Sequence, residues 1–169
     1  MDDRAEHALD VIGSRHSHRK YKPDPVPRDV IEKIVNAGRL AATARNVQPW
    51  HFVVVTDEKT RKRLVEINDY GDFIAETPVC IVVLCEDTKY YLEDGSAATQ
   101  NILLAAEAMG LGACWVAGDK KPYAGKIVKL VGAPGNMKLV SQVAVGYSAD
   151  TAEPRSKRPL NNVLHWEKF

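Results

Sequence analysis

Pro78-Val79-Cys80-Ile81-Val82-Val83-Leu84-Cys85 holds the longest aliphatic run of the chain. Its seven successive apolar side chains leave neither face of a strand for water, so the run reads as a central strand covered on both sides. It is too short to cross a bilayer. Cys80 and Cys85 lie five apart and point to opposite faces of that strand, which makes them small buried hydrophobes. With Cys114 they give an odd count and no CxxC or histidine-rich spacing, so zinc, iron–sulfur and disulfide frameworks lack support.

Working outward, Leu92 to Met109 reads as a long helix closed by Gly110. Ala97, Ala98, Ala105, Ala106 and Ala108 leave it small or apolar nearly all round, the pattern of an interior helix. In a chain of 169 residues that interior reads as a subunit interface. A strand over Ala113 to Val116 ends at Gly118, a helix covers Tyr123 to Val131, and a strand runs from Leu139 to Tyr147. Upstream, a short helix covers Ala5 to Ile12. Pro25-Val26-Pro27 opens a second, with Val30, Ile31, Ile34, Val35 and Ala41 as one apolar stripe ending near Ala42. Asn46-Val47-Gln48-Pro49 forces an extended exit into a strand over His51 to Thr56, and Asp57 to Ile67 is a charged surface helix. The alternation gives one three-layer α/β or α+β domain. A basic tail from Ala152 to Phe169 ends in Leu164, His165, Trp166 and Phe169; it is too apolar to be loose and reads as docked, for example on a second subunit.

Charge is concentrated in two places. Arg15-His16-Ser17-His18-Arg19-Lys20-Tyr21-Lys22 has four cations and no acid, while the whole chain carries a net charge of only +1. That balance argues against nucleic acid or an anionic membrane as partner and leaves local patches. Arginine forks and a serine hydroxyl suit phosphate oxygens. Arg155-Ser156-Lys157-Arg158 repeats the chemistry at the other end of the chain. Either both clusters hold one phosphate or each is a solvated patch, and the residues alone leave both readings open. There is no GxxxxGK[ST], and Gly110-Leu111-Gly112 stands between helix and strand, the wrong order for a dinucleotide fingerprint. No serine has a nucleophile-elbow context, and the histidines lack metal-ligand spacing, His51 and His165 reading as ordinary hydrogen-bonded residues. Glu93 and Asp94 are neighbours that face different ways. Any enzyme here imports its reactivity as a cofactor. The first residues, Met1-Asp2-Asp3-Arg4, carry no apolar signal, so a soluble cytoplasmic protein is expected.

The basic run, Ala42-Thr43-Ala44-Arg45-Asn46-Val47-Gln48-Pro49-Trp50-His51-Phe52, Gln100 through Gly112, Trp115-Val116-Ala117-Gly118 and Arg158-Pro159-Leu160 together resemble, in order and over nearly the whole chain, the flavin-dependent nitroreductase family. The resemblance implies an α+β, three-layer αβα fold with a mixed central sheet in an intertwined homodimer. Residues 1–169 would form one domain, with the 152–169 tail on the partner subunit. It implies bound FMN, with Arg15, His16, Ser17 and Arg19 contacting its phosphate, ribityl chain and ring edge. Arg155, Lys157 or Arg158 would close on the phosphate. Ala42, Thr43 and Ala44 would approach the isoalloxazine from the other subunit, with Asn46 and Gln48 nearby. Ala117 and Gly118 would offer backbone, the Gly118 N–H facing N5 across a glycine's close approach. Trp50 and Trp115 would pack beside the site.

No catalytic side chain and no metal are implied. NAD(P)H would be the transient reductant and a small-molecule electron acceptor, such as a nitroaromatic or quinone, would follow it in a ping-pong cycle. Related flavin chemistry on the same fold (dehalogenation, heterocycle dehydrogenation, flavin fragmentation) and a non-catalytic flavin-binding module are the alternatives. Arg45 departs from the family pattern, standing where glycine is usual, and either crowds the cavity, binds an anionic substrate or points to solvent. The chain's compactness implies reduced lid segments, and Asn68 is a candidate for a polar residue that helps hold the flavin.

Overall fold

The computed structural model describes residues 2–151 and 153–169. Five helices and four strands follow in the order α1 (Asp3–Ser14), α2 (Arg28–Arg39), β1 (Trp50–Val55), α3 (Glu58–Ile67), β2 (Val79–Cys85), α4 (Tyr91–Ala108), β3 (Gly112–Ala117), α5 (Ala124–Leu130) and β4 (Lys138–Gly146). The sheet order is β1-β2-β4-β3. β2 is interior and every one of its side chains is buried. Burying each of its Val, Ile and Leu side chains contributes on the order of 1.5–3 kcal/mol, which makes this strand the anchor of the sheet.

Alternation along β2 divides the core into two. Val79, Ile81, Val83 and Cys85 face α2 and α4, with Ile34, Ala98, Ile102 and Ala106 packed on them. Cys80, Val82 and Leu84 face the opposite side, with Leu64 of α3 and Ile127 of α5. Helices therefore cover both faces, and the three layers of the α+β reading are present. Burial pushes the Cys80 and Cys85 thiols up to about 12, so both stay protonated and inert.

One feature of the expected sheet is corrected. β1–β2, β2–β4 and β3–β4 all pair antiparallel, so the named strands form no mixed sheet. Among the described residues parallel pairing enters only as the isolated bridge Ser17–Ala113, because the basic run, and no full strand, lies along the β3 edge. The pairing also carries an irregularity: Val83 stands opposite Ser141 and Leu84 opposite Leu139, leaving Val140 as an extra residue in β4.

Local signals explain the boundaries. The Asp57 carboxylate caps α3 by accepting from the Thr60 N–H at 2.8 Å. Gly110 follows α4 at φ +72° and lets the chain turn into β3. The α2–α4 packing carries a polar link, the Asn101 side chain donating to the Ala37 carbonyl at 3.0 Å. The tail makes one short turn, Leu160–Asn162, and residues 153–169 are exposed throughout. Its expected first residue, Ala152, lies with Met1 outside the described residues. Trp166 remains 77% exposed, so the apolar end of the tail does not dock on its own chain. Among the described residues no helix is long and apolar enough to cross a membrane.

Candidate functional site

The basic run is fixed by backbone pairing. The His18 N–H donates to the Ala113 carbonyl at 3.1 Å, Lys22 N–H to Tyr147 at 2.9 Å, and Ala149 N–H to Lys20 at 2.9 Å. The Asp150 carboxylate accepts from the Arg19 N–H at 3.2 Å. His18 is the buried peg of the segment. Its Nδ1 lies 2.7 Å from Ser148 Oγ, and a Cβ on Gly112 would come within 2.8 Å of its ring. Burial first, and the neighbouring His16 second, lower the His18 pKa, so this ring stays neutral. Burial acts in the other direction on Tyr21, raising its pKa, and its hydroxyl donates to the His18 carbonyl at 2.6 Å.

Pinned in this way, the run turns Arg15, His16, Ser17 and Arg19 toward one cleft of ≈ 340 Å³. Arg155 and Lys157 of the tail line the same cleft. The two basic clusters of the sequence therefore meet. Four cations face the cavity and Glu153 is the one acid in its lining, so the cleft is built for an anion. His16 adds a more specific cue. Its Nδ1 lies 2.9 Å from the Ser14 carbonyl, which can only accept, so Nδ1 carries the proton. In the neutral ring that leaves Nε2 an acceptor, and Nε2 is buried without a partner among the described residues. His16 itself lines the cleft, and a ribityl phosphate offers that lining both hydroxyls and an anion.

Other predicted site residues lie elsewhere. Arg158 does not line the cleft; its guanidinium donates to the Asn162 carbonyl at 2.8 Å and braces the tail turn. Ala117 is exposed at the end of β3. The Gly118 N–H is committed to the Val140 carbonyl at 3.1 Å, so it is not the free donor toward N5 that was expected. The unbroken β3–β4 register causes this, because Ala117 stands opposite Ser141 and the next residue, Gly118, therefore meets Val140, whose carbonyl also collects the Asp119 N–H at 3.3 Å. Glycine is needed at 118 for packing, since a Cβ there would collide with the Leu139 side chain. Asn68 forms a reciprocal amide pair with buried Gln142, at 2.8 and 3.3 Å, and is occupied within the protein.

The loop from Ala42 to Gln48 hangs on Asp94, a buried carboxylate in the first turn of α4. Asp94 accepts from the Thr43 hydroxyl at 2.8 Å and from the Ala44 N–H at 3.0 Å. Thr43 Oγ1 in turn accepts from the Gln48 N–H at 3.1 Å, and the Gln48 amide reaches Asn46 Oδ1 at 3.2 Å. Arg45, Asn46 and Gln48 have φ of +52°, +57° and +54°, so this loop stores backbone strain. Sequence reasoning missed Asp94 as the loop's anchor. An acid beside glycine in an otherwise small and apolar helix was the available signal.

This loop and the basic cleft stand far apart in one chain. Ser14, at the cleft, donates to Glu107 in the last turn of α4 at 2.7 Å, whereas the loop hangs on Asp94 in the first turn. At ~1.5 Å per residue the two anchors are about 20 Å apart along the helix. The loop also enters β1 while the cleft flanks β3, the opposite edge of the sheet. Trp50 is buried and Trp115 half-buried, both packed in the core below these edges, as expected.

The family model described as Nitroreductase family matches residues 12–77 and 70–147. A protein of Archaeoglobus fulgidus, provisionally named NADH dehydrogenase/NAD(P)H nitroreductase, is 37% identical over 153 residues, 86% of this chain and 87% of its own. A similarly provisional NADH dehydrogenase/NAD(P)H nitroreductase of Parabacteroides distasonis has the same fold with a TM-score of 0.91 and 34% identity, covering 96% of this chain and 98% of its own. The FMN-dependent nitroreductase of Clostridium difficile superposes with a TM-score of 0.89 at 26% identity, over 95% of this chain and 99% of its own.

Proposed function

The chain belongs to the nitroreductase family, and from that premise we propose that it is an FMN-dependent oxidoreductase working as a homodimer with NAD(P)H as reductant. The observation that carries the reading is the meeting of Arg15, Arg19, Arg155 and Lys157 around one cleft that His16 and Ser17 also line. Bound FMN supplies the redox chemistry, taking a hydride from NAD(P)H and passing electrons to a nitroaromatic, quinone or similar acceptor in a ping-pong cycle. The side chains bind and orient. Arg15, Arg19, Arg155 and Lys157 neutralise the phosphate, Ser17 donates to it, and His16 contacts the ribityl chain. From there the groove leads along β3 to exposed Ala117, a path of about 13 Å from Ala113 at ~3.3 Å per residue.

Ala42, Thr43, Ala44, Asn46 and Gln48 of a second copy complete the ring site. The separation of that loop from the basic cleft within one chain supports this, as do the exposed Leu9, Ile12 and Met109 near the shared α1–α4 surface. Purified protein tests the proposal: it should be yellow, and anaerobic NADH or NADPH should bleach it, with colour restored by an acceptor. A preparation that stays colourless after incubation with FMN contradicts flavin binding. One that binds FMN but oxidises neither nucleotide with any acceptor is a non-catalytic flavin module.

A further inference from the structure

Beside the phosphate cleft lies a second cavity of ≈ 280 Å³, and Arg19 lines both. This cavity follows the β3 edge past Cys114, Trp115 and Ala117, and its far wall is Tyr70 and Lys121. Its charged lining residues, Arg19 and Lys121, are both cations. Asp119, two residues before Lys121, accepts from the Tyr91 hydroxyl at 2.7 Å and is not in the lining. Tyr70 is largely exposed, and the Lys121 ammonium lies 5.3 Å from the centre of its ring. An exposed aromatic holding a half-buried lysine against a cavity wall is a cation–π arrangement that fixes where the charge sits.

We infer that Lys121 is a cofactor-tuning residue: held by Tyr70, it places a positive charge beside the flavin ring and favours the reduced cofactor. The inference rests on the flavin reading above. With the phosphate among Arg15, Arg155 and Lys157, a ligand extending along β3 brings its ring end into the cavity that Lys121 walls. Hydride transfer from NAD(P)H oxidises the nucleotide to NAD(P)⁺ and adds one negative charge to the flavin. A cation at the ring therefore binds the reduced form more tightly than the oxidised one. Arg19, reaching both cavities, shares its charge with the phosphate end, so Lys121 is the cation dedicated to the ring.

The test uses the full chain loaded with FMN and measures cofactor retention and the two-electron midpoint potential against a reference dye, without oxygen. Lys121→Met should still fold and bind oxidised FMN, but its preference for reduced over oxidised flavin should fall about tenfold, a midpoint lower by ~30 mV. Lys121→Arg should restore most of it. Tyr70→Ala should shift the midpoint in the same direction, while Tyr70→Phe, which keeps the ring, should not. A Lys121→Met protein that binds FMN at the wild-type potential overturns this inference and leaves flavin binding standing. Wild-type protein that takes up no FMN overturns the flavin reading, and the role of Lys121 with it.

Discussion

Arg45 shows what a single residue's backbone costs. At φ +52° its Cβ crowds the chain, and a non-glycine residue in the left-handed region is disfavoured by roughly 1–2 kcal/mol. Arg45→Gly relieves this while adding freedom to the unfolded chain, so a net gain of about 0.5–1 kcal/mol is expected in urea or thermal unfolding. Arg45→Ala, which keeps the Cβ, should show no such gain; equal effects of the two would rule out strain at this position. Gly118 behaves in the opposite way. Its alanine variant drives a methyl into Leu139 and should cost about 1–3 kcal/mol, visible as a lower denaturation midpoint. At this scale the sequence was legible where residue chemistry is sufficient: Arg15, Arg19, Arg155 and His16 line one cleft, the first of the two readings their donor sets left open. It misled where a neighbour decides, because the Gly118 N–H is occupied by the Val140 carbonyl that the antiparallel β3–β4 register sets opposite it.

Elements were read to within a few residues because proline, glycine and apolar periodicity mark their ends, and β2 was recognised as interior from its composition alone. Strand pairing was not legible in the same way. The antiparallel neighbours of β2 are distant in sequence, and a one-residue bulge leaves no compositional trace. The pinned basic segment is an element in its own right, and its stability should depend on pH through His18. Burial and the His16 ring lower the His18 pKa in the folded protein, with Arg15 adding to this and Glu107 and Asp150 opposing it. The unfolded chain therefore binds the proton first. This contribution to stability is complete above the ordinary histidine value near 6.5 and is lost as pH falls from there through the folded value. Unfolding free energies measured between pH 7.5 and 5 should decline, and His18→Asn should flatten that part of the decline; an unaltered slope in the variant would assign the pH dependence to other groups.

For the whole molecule, the decisive fact is that the two parts of the proposed flavin site do not meet within one chain. The basic cleft lies at the C-terminal end of α4 by β3, and the Ala42–Gln48 loop lies at the N-terminal end by β1. Two identical chains related by a two-fold axis can bring the cleft of one to the loop of the other, twice. The exposed apolar side chains of the tail, Leu160, Leu164, Trp166 and Phe169, then have a partner surface to cover. Mixing two defective variants tests this arrangement. Arg15→Ala/Arg19→Ala removes phosphate charge, and Ala42→Trp, at an exposed loop position, fills the space proposed for the ring. Each variant alone should elute as a folded dimer with little FMN. After the two are unfolded together and refolded, a shared site predicts that half of the dimers are mixed and that each mixed dimer has one intact site, so about a quarter of all sites should recover FMN. A site contained within one chain predicts none, because every chain then carries its own lesion. Flavin content per chain after gel filtration separates these outcomes.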